Sequence, residues 1–207
     1  MKKIITSIVA LLLAAPSFAQ MNSGGFSISE STLYYGVRIG MNLSTVTGDN
    51  TDDLKMKAGL TLGGVLGLRV SDSAPVFLES GLYYTQYGAN GDGKEELDVN
   101  YLELPVLIKY GFEATDEINV LPYLGPTFGF GVSAKRKYEE LGEVESVKGF
   151  SDNDLNRFNV GIKIGCGVEW SKLYAELGYH IGISNLADSD SDTMHHGNIF
   201  INVGVNF

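Results

Sequence analysis

The sequence predicts an all-β fold, an eight-stranded antiparallel transmembrane β-barrel with an up-and-down strand order. From Tyr34 to the C-terminus, hydropathy alternates with the period of two that is typical of strands. One parity of the alternating segments is apolar, whereas the other carries the charges and sixteen of the 26 glycines. An export signal precedes them. Together these observations predict a chain that crosses a membrane with strands.

Each predicted strand is an alternating segment bounded by turn residues, and eight such segments follow one another without a helical pattern between them. The first begins after a polar leader, and the last runs to the final residue. In chain order, the segments are 34–44, 57–70, 76–88, 98–112, 119–132, 157–170, 172–184 and 197–207.

The connections between these segments alternate between short and long, as in an outer-membrane barrel with short periplasmic turns and long outer loops. The short connections are 71–75, 113–118 and Ser171. The long connections are 45–56, 89–97, 133–156 and 185–196.

The composition of the two faces indicates which one lines the barrel. A soluble barrel with its apolar face inward would have to enclose more than forty large apolar side chains, but an eight-stranded interior admits only a tight filling or one small ligand. Glycine weakens a water-facing strand, whereas in a narrow lumen it makes room for neighbouring charged chains. The charged face is therefore predicted to be the interior. The sheet must close because hydrocarbon cannot satisfy edge amides.

The N-terminus is typical of a secretory signal peptide. Two lysines precede an apolar run over 4–15, and small residues before Gln20 predict cleavage there. The run is shorter than the roughly 20 residues of a spanning helix. We therefore expect export to the outer membrane of a Gram-negative-type cell. The predicted divisions are a signal peptide at 1–19, a periplasmic leader at 20–33 and the barrel at 34–207.

Charge and cysteine content exclude other classes of protein. The formal net charge of -10 argues against a nucleic-acid partner, because neutralising phosphates requires clustered Lys and Arg. The single cysteine, Cys166, cannot form an internal disulfide, and its parity places it on the apolar face as a small hydrophobe.

Aromatic residues end the apolar face at both rims, as the interfacial girdles of a barrel require. The chain also stops inside an alternating strand at Phe207, which predicts a C-terminal signal for the barrel assembly machinery. The two predicted girdles are Tyr35, Tyr110, Trp170 and Phe207 at one rim, and Tyr84, Phe130 and Phe158 at the other.

Two strand sequences resemble the PorT-like family of outer-membrane barrels: Tyr-Leu-Glu-Leu-Pro-Val-Leu-Ile-Lys-Tyr at 101–110 and Pro-Tyr-Leu-Gly-Pro-Thr-Phe-Gly-Phe-Gly at 122–131. The opening at Tyr34 and the segments 165–169 and 176–179 are similar to that family too. The resemblance implies a barrel, and because the namesake serves a protein-secretion system it suggests an accessory role.

Three prolines fall within these strands, where each removes a donor from the hydrogen-bond ladder, so we expect a β-bulge at each. They are Pro105, Pro122 and Pro126.

The candidate site is a set of titratable residues on the inward parity. Four cations and four carboxylates balance, and charges removed from water are tolerated mainly as hydrogen-bonded pairs. This pattern predicts a structural network that plugs the lumen, and the alternative is a selective polar pore. The set is Arg38, Arg69, Lys109 and Lys163 with Glu79, Glu103, Glu169, Glu176 and His180.

Two further interpretations concern the inward histidine and the last loop. Glu176 and His180 share the inward face, so a Glu-His pair acting on Ser184 is conceivable, but no serine is compellingly placed. The acidic last loop, which ends with His195 and His196, lacks the glycine and glutamate of a calcium loop and is interpreted as a solvated loop. No catalytic residue, metal or cofactor is predicted.

The predicted function is therefore that of a non-enzymatic barrel with a largely occluded lumen, acting as a scaffold or accessory in surface assembly or protein secretion. A narrow channel for small solutes is the alternative. The expected partners are outer-membrane lipid and lipopolysaccharide, the barrel assembly machinery and components of secretion or of the envelope.

Overall fold

The structure, a computed structural model of the chain, describes residues 33–48, 55–91, 96–140, 143–147, 156–185 and 194–207. The predicted signal peptide, its cleavage before Gln20 and all but the last residue of the predicted leader lie outside these residues. Within the described ranges, no helix is long and apolar enough to cross a membrane.

Ten β-strands run through the described ranges, two of them short. They are β1 (Leu33–Gly48), β2 (Lys55–Arg69), β3 (Val76–Asn90), β4 (Glu96–Tyr110), β5 (Phe112–Glu113), β6 (Ile118–Glu140), β7 (Glu143–Val147), β8 (Phe158–Trp170), β9 (Leu173–Gly182) and β10 (Met194–Asn206).

Eight of these strands form a closed antiparallel barrel in which the long strands that follow one another in sequence are neighbours. β4 pairs with β6, and β10 returns to pair with β1, so the sheet closes on itself. The short strands β5 and β7 each pair with β6. The predicted eight-stranded up-and-down barrel is confirmed.

The closing seam between β1 and β10 is continuous from Gly36, opposite Asn206, to Gly48, opposite Met194. Phe207 extends it: its amide donates to the Tyr35 carbonyl (2.7 Å) and its carbonyl accepts from the Tyr35 amide (3.2 Å). The two rings stack with centroids 5.6 Å apart. Phe207 therefore extends the pairing of the seam, while its recognition by assembly machinery stays a prediction.

Side chains alternate between the two faces as predicted. On β9, Leu173, Leu177 and Tyr179 are exposed, whereas Tyr174 and His180 are buried, and the other barrel strands follow the same rule. The end of the barrel that holds Leu33, Phe207 and the turns at 71–75, 111–117 and 171–172 is called the turn end below. The opposite end is called the loop end.

At the loop end the strands are longer than predicted. The predicted third loop, 133–156, contains the last part of β6 and all of β7, which pair from Arg136 opposite Val147 to Glu140 opposite Glu143. On its other side β6 pairs with β4, where Glu96 is opposite Lys137 and Asp98 is opposite Lys135. The opposite charges of Asp98 and Lys135 across the strand pair favour this extension.

β10 also begins earlier than predicted, at Met194, so His195 and His196 lie in a strand rather than in a solvated loop. His196 has the inward parity and is buried.

The expected bulges at the three prolines are wrong. The β6–β8 register is constant through Pro122, opposite Cys166, and Pro126, opposite Ile162. On the β4 side, pairing lapses between Pro105, opposite Thr127, and Ile108, opposite Leu124, and then resumes in the same register. A local gap in the ladder thus accommodates the missing donors without an inserted residue.

Inward glycines make room mainly for aromatic rings rather than for the charged chains expected. A Cβ atom on Gly67 would overlap the Tyr34 ring, and one on Gly167 would overlap the Tyr174 ring. Arg38 is the charged exception, since it lies against Gly36 and Gly204. Because glycine has no side chain, these positions leave space for large rings within a narrow lumen.

We therefore predict that Gly67→Ala lowers the free energy of unfolding by about 1–3 kcal/mol, because the added methyl overpacks a filled interior. Unfolding in urea of the barrel reconstituted in lipid vesicles measures this loss. The matched control is Gly64→Ala on the outer face of the same strand, where the nearest atom to a Cβ would be the Gly36 carbonyl oxygen at 3.8 Å. If both substitutions lowered the free energy of unfolding equally, the packing of aromatic rings against inward glycines would be contradicted.

Candidate functional site

The turn-end half of the lumen contains a buried cluster around Glu79, on β3. One carboxylate oxygen accepts a hydrogen bond from the Lys109 ammonium at 2.8 Å, and the other accepts from the Tyr34 hydroxyl at 2.6 Å. An Arg38 guanidinium nitrogen lies 3.9 Å from the second oxygen. Because Glu79 and its two cations are almost fully shielded from water, their charges depend on one another for stabilisation.

Tyr174 connects this cluster to a second carboxylate across the lumen. Its hydroxyl accepts a hydrogen bond from Lys109 (2.8 Å) and donates to Glu176 (3.0 Å), which also accepts from the Asn202 amide (2.7 Å). The Arg38 guanidinium lies 3.9 Å from the centroid of the Tyr174 ring, within the range of a cation–π contact. One tyrosine therefore connects two cations to a second carboxylate.

Arg38 also connects the cluster to the closing seam. Its guanidinium donates to the Asn206 side-chain carbonyl at 2.5 Å, and the Asn206 amide group donates to Glu169 at 2.8 Å. A weaker bond runs from Arg38 to the Val205 main-chain carbonyl at 3.4 Å. The turn-end network thus includes residues of β1, β8 and β10 as well as β3, β4 and β9.

A second buried cluster surrounds Glu103 in the loop-end half. This carboxylate accepts hydrogen bonds from the Tyr87 hydroxyl (2.7 Å) and the Thr85 hydroxyl (3.0 Å). The Lys163 ammonium lies 3.5 Å from it. Lys163 also lies 5.0 Å from the centroids of the Tyr83 and Phe200 rings. Here too a charge pair is enclosed by rings and hydroxyls.

His180 belongs to the loop-end cluster and not to a pair with Glu176. Its Nε2 and the Thr127 hydroxyl lie 2.7 Å apart in a hydrogen bond, and its Nδ1 lies 3.1 Å from the Tyr87 hydroxyl and 3.7 Å from Glu103. The order hydroxyl, imidazole, carboxylate is that of a catalytic triad. However, Thr127 is only 1% exposed, so its hydroxyl is not presented to a substrate.

The serine considered with this histidine has other partners. The Ser184 hydroxyl accepts hydrogen bonds from the Asn159 side chain and from the Val160 amide, both at 2.9 Å. The Glu176–His180–Ser184 arrangement is therefore wrong, because Glu176 is bonded to Tyr174 and Asn202 in the turn-end cluster, and Glu103 is the carboxylate beside His180.

Arg69 departs from the predicted set. It is the last residue of β2, is only half-buried, and donates from Nε to the Ser71 carbonyl at 2.9 Å within the turn. Without it, the buried set holds three cations against four carboxylates, so the balance expected from the sequence is wrong by one charge. The other eight predicted residues are buried inside the barrel: Arg38, Glu79, Glu103, Lys109, Lys163, Glu169, Glu176 and His180.

The sequence-based prediction overlooked the aromatic part of the site. Large rings share the inward parity with the charges, and the hydroxyls of several of them bridge the ions. Their parity could have revealed them, since each alternates with exposed apolar residues on its strand. They are Tyr34, Tyr83, Tyr87, Tyr101, Tyr123 and Tyr174, with Phe77 and Phe200.

Metal-binding geometry is not found in the part of the chain that the structure describes: no three His, Cys, Asp or Glu side chains there are grouped to hold an ion. Cys166 is a free thiol exposed on the outer face, as its parity predicted. What the interior groups can do chemically is bind one another. They neutralise most of each other's charge and fill the space between the strands.

Sequence comparison connects this barrel with a family. A family model described as "Outer membrane protein beta-barrel domain" matches residues 18–188. No curated protein matches the chain.

Several solved bacterial structures are similar in shape. Ail, the attachment invasion locus protein of Yersinia pestis, is 16% identical with a TM-score of 0.47, and the match covers 86% of this chain and 100% of Ail. Neisserial surface protein A is 14% identical with a TM-score of 0.48, covering 86% and 98% of the two chains. OprG from Pseudomonas aeruginosa is 12% identical with a TM-score of 0.46, covering 84% and 95%. Such low identities and TM-scores say nothing about function.

We predict that Lys109→Met lowers the free energy of unfolding by about 3–5 kcal/mol, because it leaves Glu79 buried without its closest cation. The control is Lys57→Met, which removes the partner of Asp98 from a pair that is partly exposed and separated by 2.6 Å. That loss should stay below about 1 kcal/mol. Urea unfolding in vesicles measures both, and a small effect of Lys109→Met would contradict a tightly coupled interior.

Proposed function

The chain belongs to the outer membrane protein β-barrel domain family and is therefore an outer-membrane protein, and we propose that it is a non-enzymatic barrel with an occluded lumen. Its role on this proposal is that of a scaffold or accessory in surface assembly or protein secretion. Partners would then meet the loops or rims of the barrel rather than its interior.

The observation that supports occlusion is contact across the lumen. β4 and β9 are not neighbours in the sheet, yet Lys109 of β4 donates to Tyr174 of β9 at 2.8 Å. In the loop-end half, Tyr87 of β3 lies within hydrogen-bond distance of His180 of β9. Side chains that meet from opposite walls at two depths leave little width for solute in an eight-stranded barrel.

Several parts of the proposal rest on the sequence alone. They comprise export by a signal peptide cleaved before Gln20, a periplasmic leader, recognition of Phe207 by the barrel assembly machinery and an orientation with the turn end in the periplasm. Membership of the narrower PorT-like family, and hence contact with secretion or envelope components, rests on the strand sequences at 101–110 and 122–131. On this proposal, the outer wall of the barrel contacts lipid and lipopolysaccharide of the outer membrane.

A narrow channel is the second candidate function, and one observation favours it. The side-chain carbonyl oxygens of Asn42, Asn198 and Asn202 are buried near the β1–β10 seam without a hydrogen-bond partner among the described residues. Buried acceptors need donors, and water entering along this seam would supply them. Conduction through the lumen decides between the two functions.

We predict that the purified barrel is electrically silent in a planar lipid bilayer, because the ion-pair clusters fill both halves of the lumen. Lys163→Glu should leave it silent and lower its stability. Reproducible single-channel steps in the native barrel, with an ion selectivity that changes on Lys163→Glu, would overturn occlusion in favour of the channel.

For the accessory role, we predict that mild crosslinking in native outer membranes captures defined secretion or envelope-assembly components. Affinity isolation through a tag placed after Gln20, followed by mass spectrometry, measures this. The control is an equally abundant unrelated barrel carrying the same tag. Recovery of the barrel alone, or of the same proteins with the control, would contradict the accessory role.

A further inference from the structure

The two strands that close the barrel continue at the loop end as a ribbon of two strands. Residues 45–48 of β1 pair with 194–197 of β10. The pairing of β2 with β1 ends at Ser44, and that of β9 with β10 ends at Gly197. Within the described ranges, 45–48 and 194–196 therefore pair only with each other, and these two segments are called the flap. Because a ribbon of two strands has little stability of its own in water, the position of the flap depends on what its side chains contact.

His196 is the flap residue that reaches into the lumen. It is only 4% exposed. Its ring centroid lies 5.0 Å from that of Tyr87, 6.5 Å from that of Tyr101 and 4.9 Å from that of His180. Tyr101 belongs to β4, which lies directly across the eight-stranded barrel from β10. Contacts between rings on opposite walls thus hold the flap over the loop-end opening of the lumen.

These contacts suit an uncharged imidazole. Neither nitrogen of His196 has a hydrogen-bond partner among the described residues. The cavity beside the ring, which Ser44 and Val99 also line, has a volume of about 20 Å³ and therefore holds about one water molecule. A buried imidazolium would have neither an acceptor nor enough water around it, and an uncompensated buried charge is costly.

Charged and titratable groups surround His196 on several strands. Glu103 of β4 would attract a charge on His196, but its carboxylate is already paired with Lys163 of β8 and accepts hydrogen bonds from Tyr87 and Thr85. The shared carboxylate therefore compensates such a charge only in part. The other charged or titratable groups around the site are His180 of β9, Tyr101 of β4, the partly exposed His195 of the flap and, at the rim, Lys57 of β2 paired with Asp98 of β4.

We propose that the flap is a pH-dependent lid on the loop-end opening of the lumen, and that His196 is the residue that senses the pH. With its imidazole uncharged, His196 packs against the rings of the far wall and the lid is closed. Moving the flap outwards brings the imidazole into water, where it binds a proton, so acid stabilises the open lid relative to the closed one.

The sign of the effect follows from this difference in bound protons. The closed lid is favoured above the ordinary titration range of histidine and loses stability as the pH falls below it. The inference rests on the occluded lumen proposed above, and it concerns the loop-end half alone. The ion pairs of the turn-end cluster stay buried when the lid opens.

The experiment measures the reactivity of a buried thiol beside His196. Val99→Cys is made in a Cys166→Ser background, because Val99 lines the cavity and is buried. The barrel in vesicles reacts with dipyridyl disulfide, which modifies thiols in acid as well as at neutral pH. Each rate is divided by that of the urea-unfolded chain at the same pH, which removes the effect of pH on the thiol itself.

We expect this ratio to be on the order of tenfold or more higher at about pH 5 than at about pH 7.5, because one extra proton bound by the open lid shifts its equilibrium about tenfold per pH unit. His196→Phe keeps a ring in the flap but cannot be protonated, so its ratio should stay low at both values. His196→Gln, a second variant that does not titrate, should lose the response too.

Two further variants are the controls. His195→Asn changes the neighbouring histidine, which has the outward parity, and should respond as the native flap does. Leu121→Cys, made in place of Val99→Cys, puts the thiol at a buried position three residues from the turn-end start of β6. That thiol should stay unreactive at both pH values.

Four outcomes would count against the lid. Protection of the Val99→Cys thiol at both pH values overturns the lid and leaves occlusion intact. A response that persists in both His196 variants overturns it, because another group would then sense the pH. Reaction of Leu121→Cys in acid overturns it in favour of general unfolding. Fast reaction of Val99→Cys at both pH values contradicts the occlusion on which the lid depends.

Discussion

Hydrogen bonding of the backbone in a medium without water is the constraint on which the rest of this structure depends. Hydrocarbon offers no partner to an open sheet edge, so the eight strands must close. Closure falls at the seam between β1 and β10, which is paired without interruption and is finished by the two bonds between Phe207 and Tyr35. A closed barrel of eight strands then has a narrow interior of fixed width.

That width determines what the inward face can contain. Several large rings fit because the neighbouring residue has no side chain, as where Tyr34 lies over Gly67 and Tyr174 over Gly167. The tyrosines fill volume while their hydroxyls bridge the ions, as Tyr174 does between Lys109 and Glu176. The interior ions stabilise one another. Removing one ion of a pair therefore leaves its partner as an uncompensated buried charge and does not open a path for solute.

Much of this architecture can be predicted from the sequence, because strand parity depends only on local alternation. It correctly assigns eight strands, the outward face and the burial of eight of the nine titratable residues. Strand parity does not predict which side chains touch, because contacts depend on which residues lie at the same depth on different strands. The sequence separation of Glu176 and His180 suggests a pair, yet Glu103 of another strand is the carboxylate near His180. Arg69 and the loop-end strands depart from the prediction because parity does not determine the residue at which a strand ends.

The most direct test of an occluded interior is the accessibility of a thiol placed within it. In a Cys166→Ser background, Thr85→Cys puts a nearly isosteric thiol beside Glu103, at a position that is 1% exposed. A charged, membrane-impermeant thiol reagent is added to the barrel folded in vesicles, and labelling is measured by mass spectrometry. The account predicts labelling only after unfolding in urea. Rapid labelling of the folded barrel would show a water-filled lumen and contradict it.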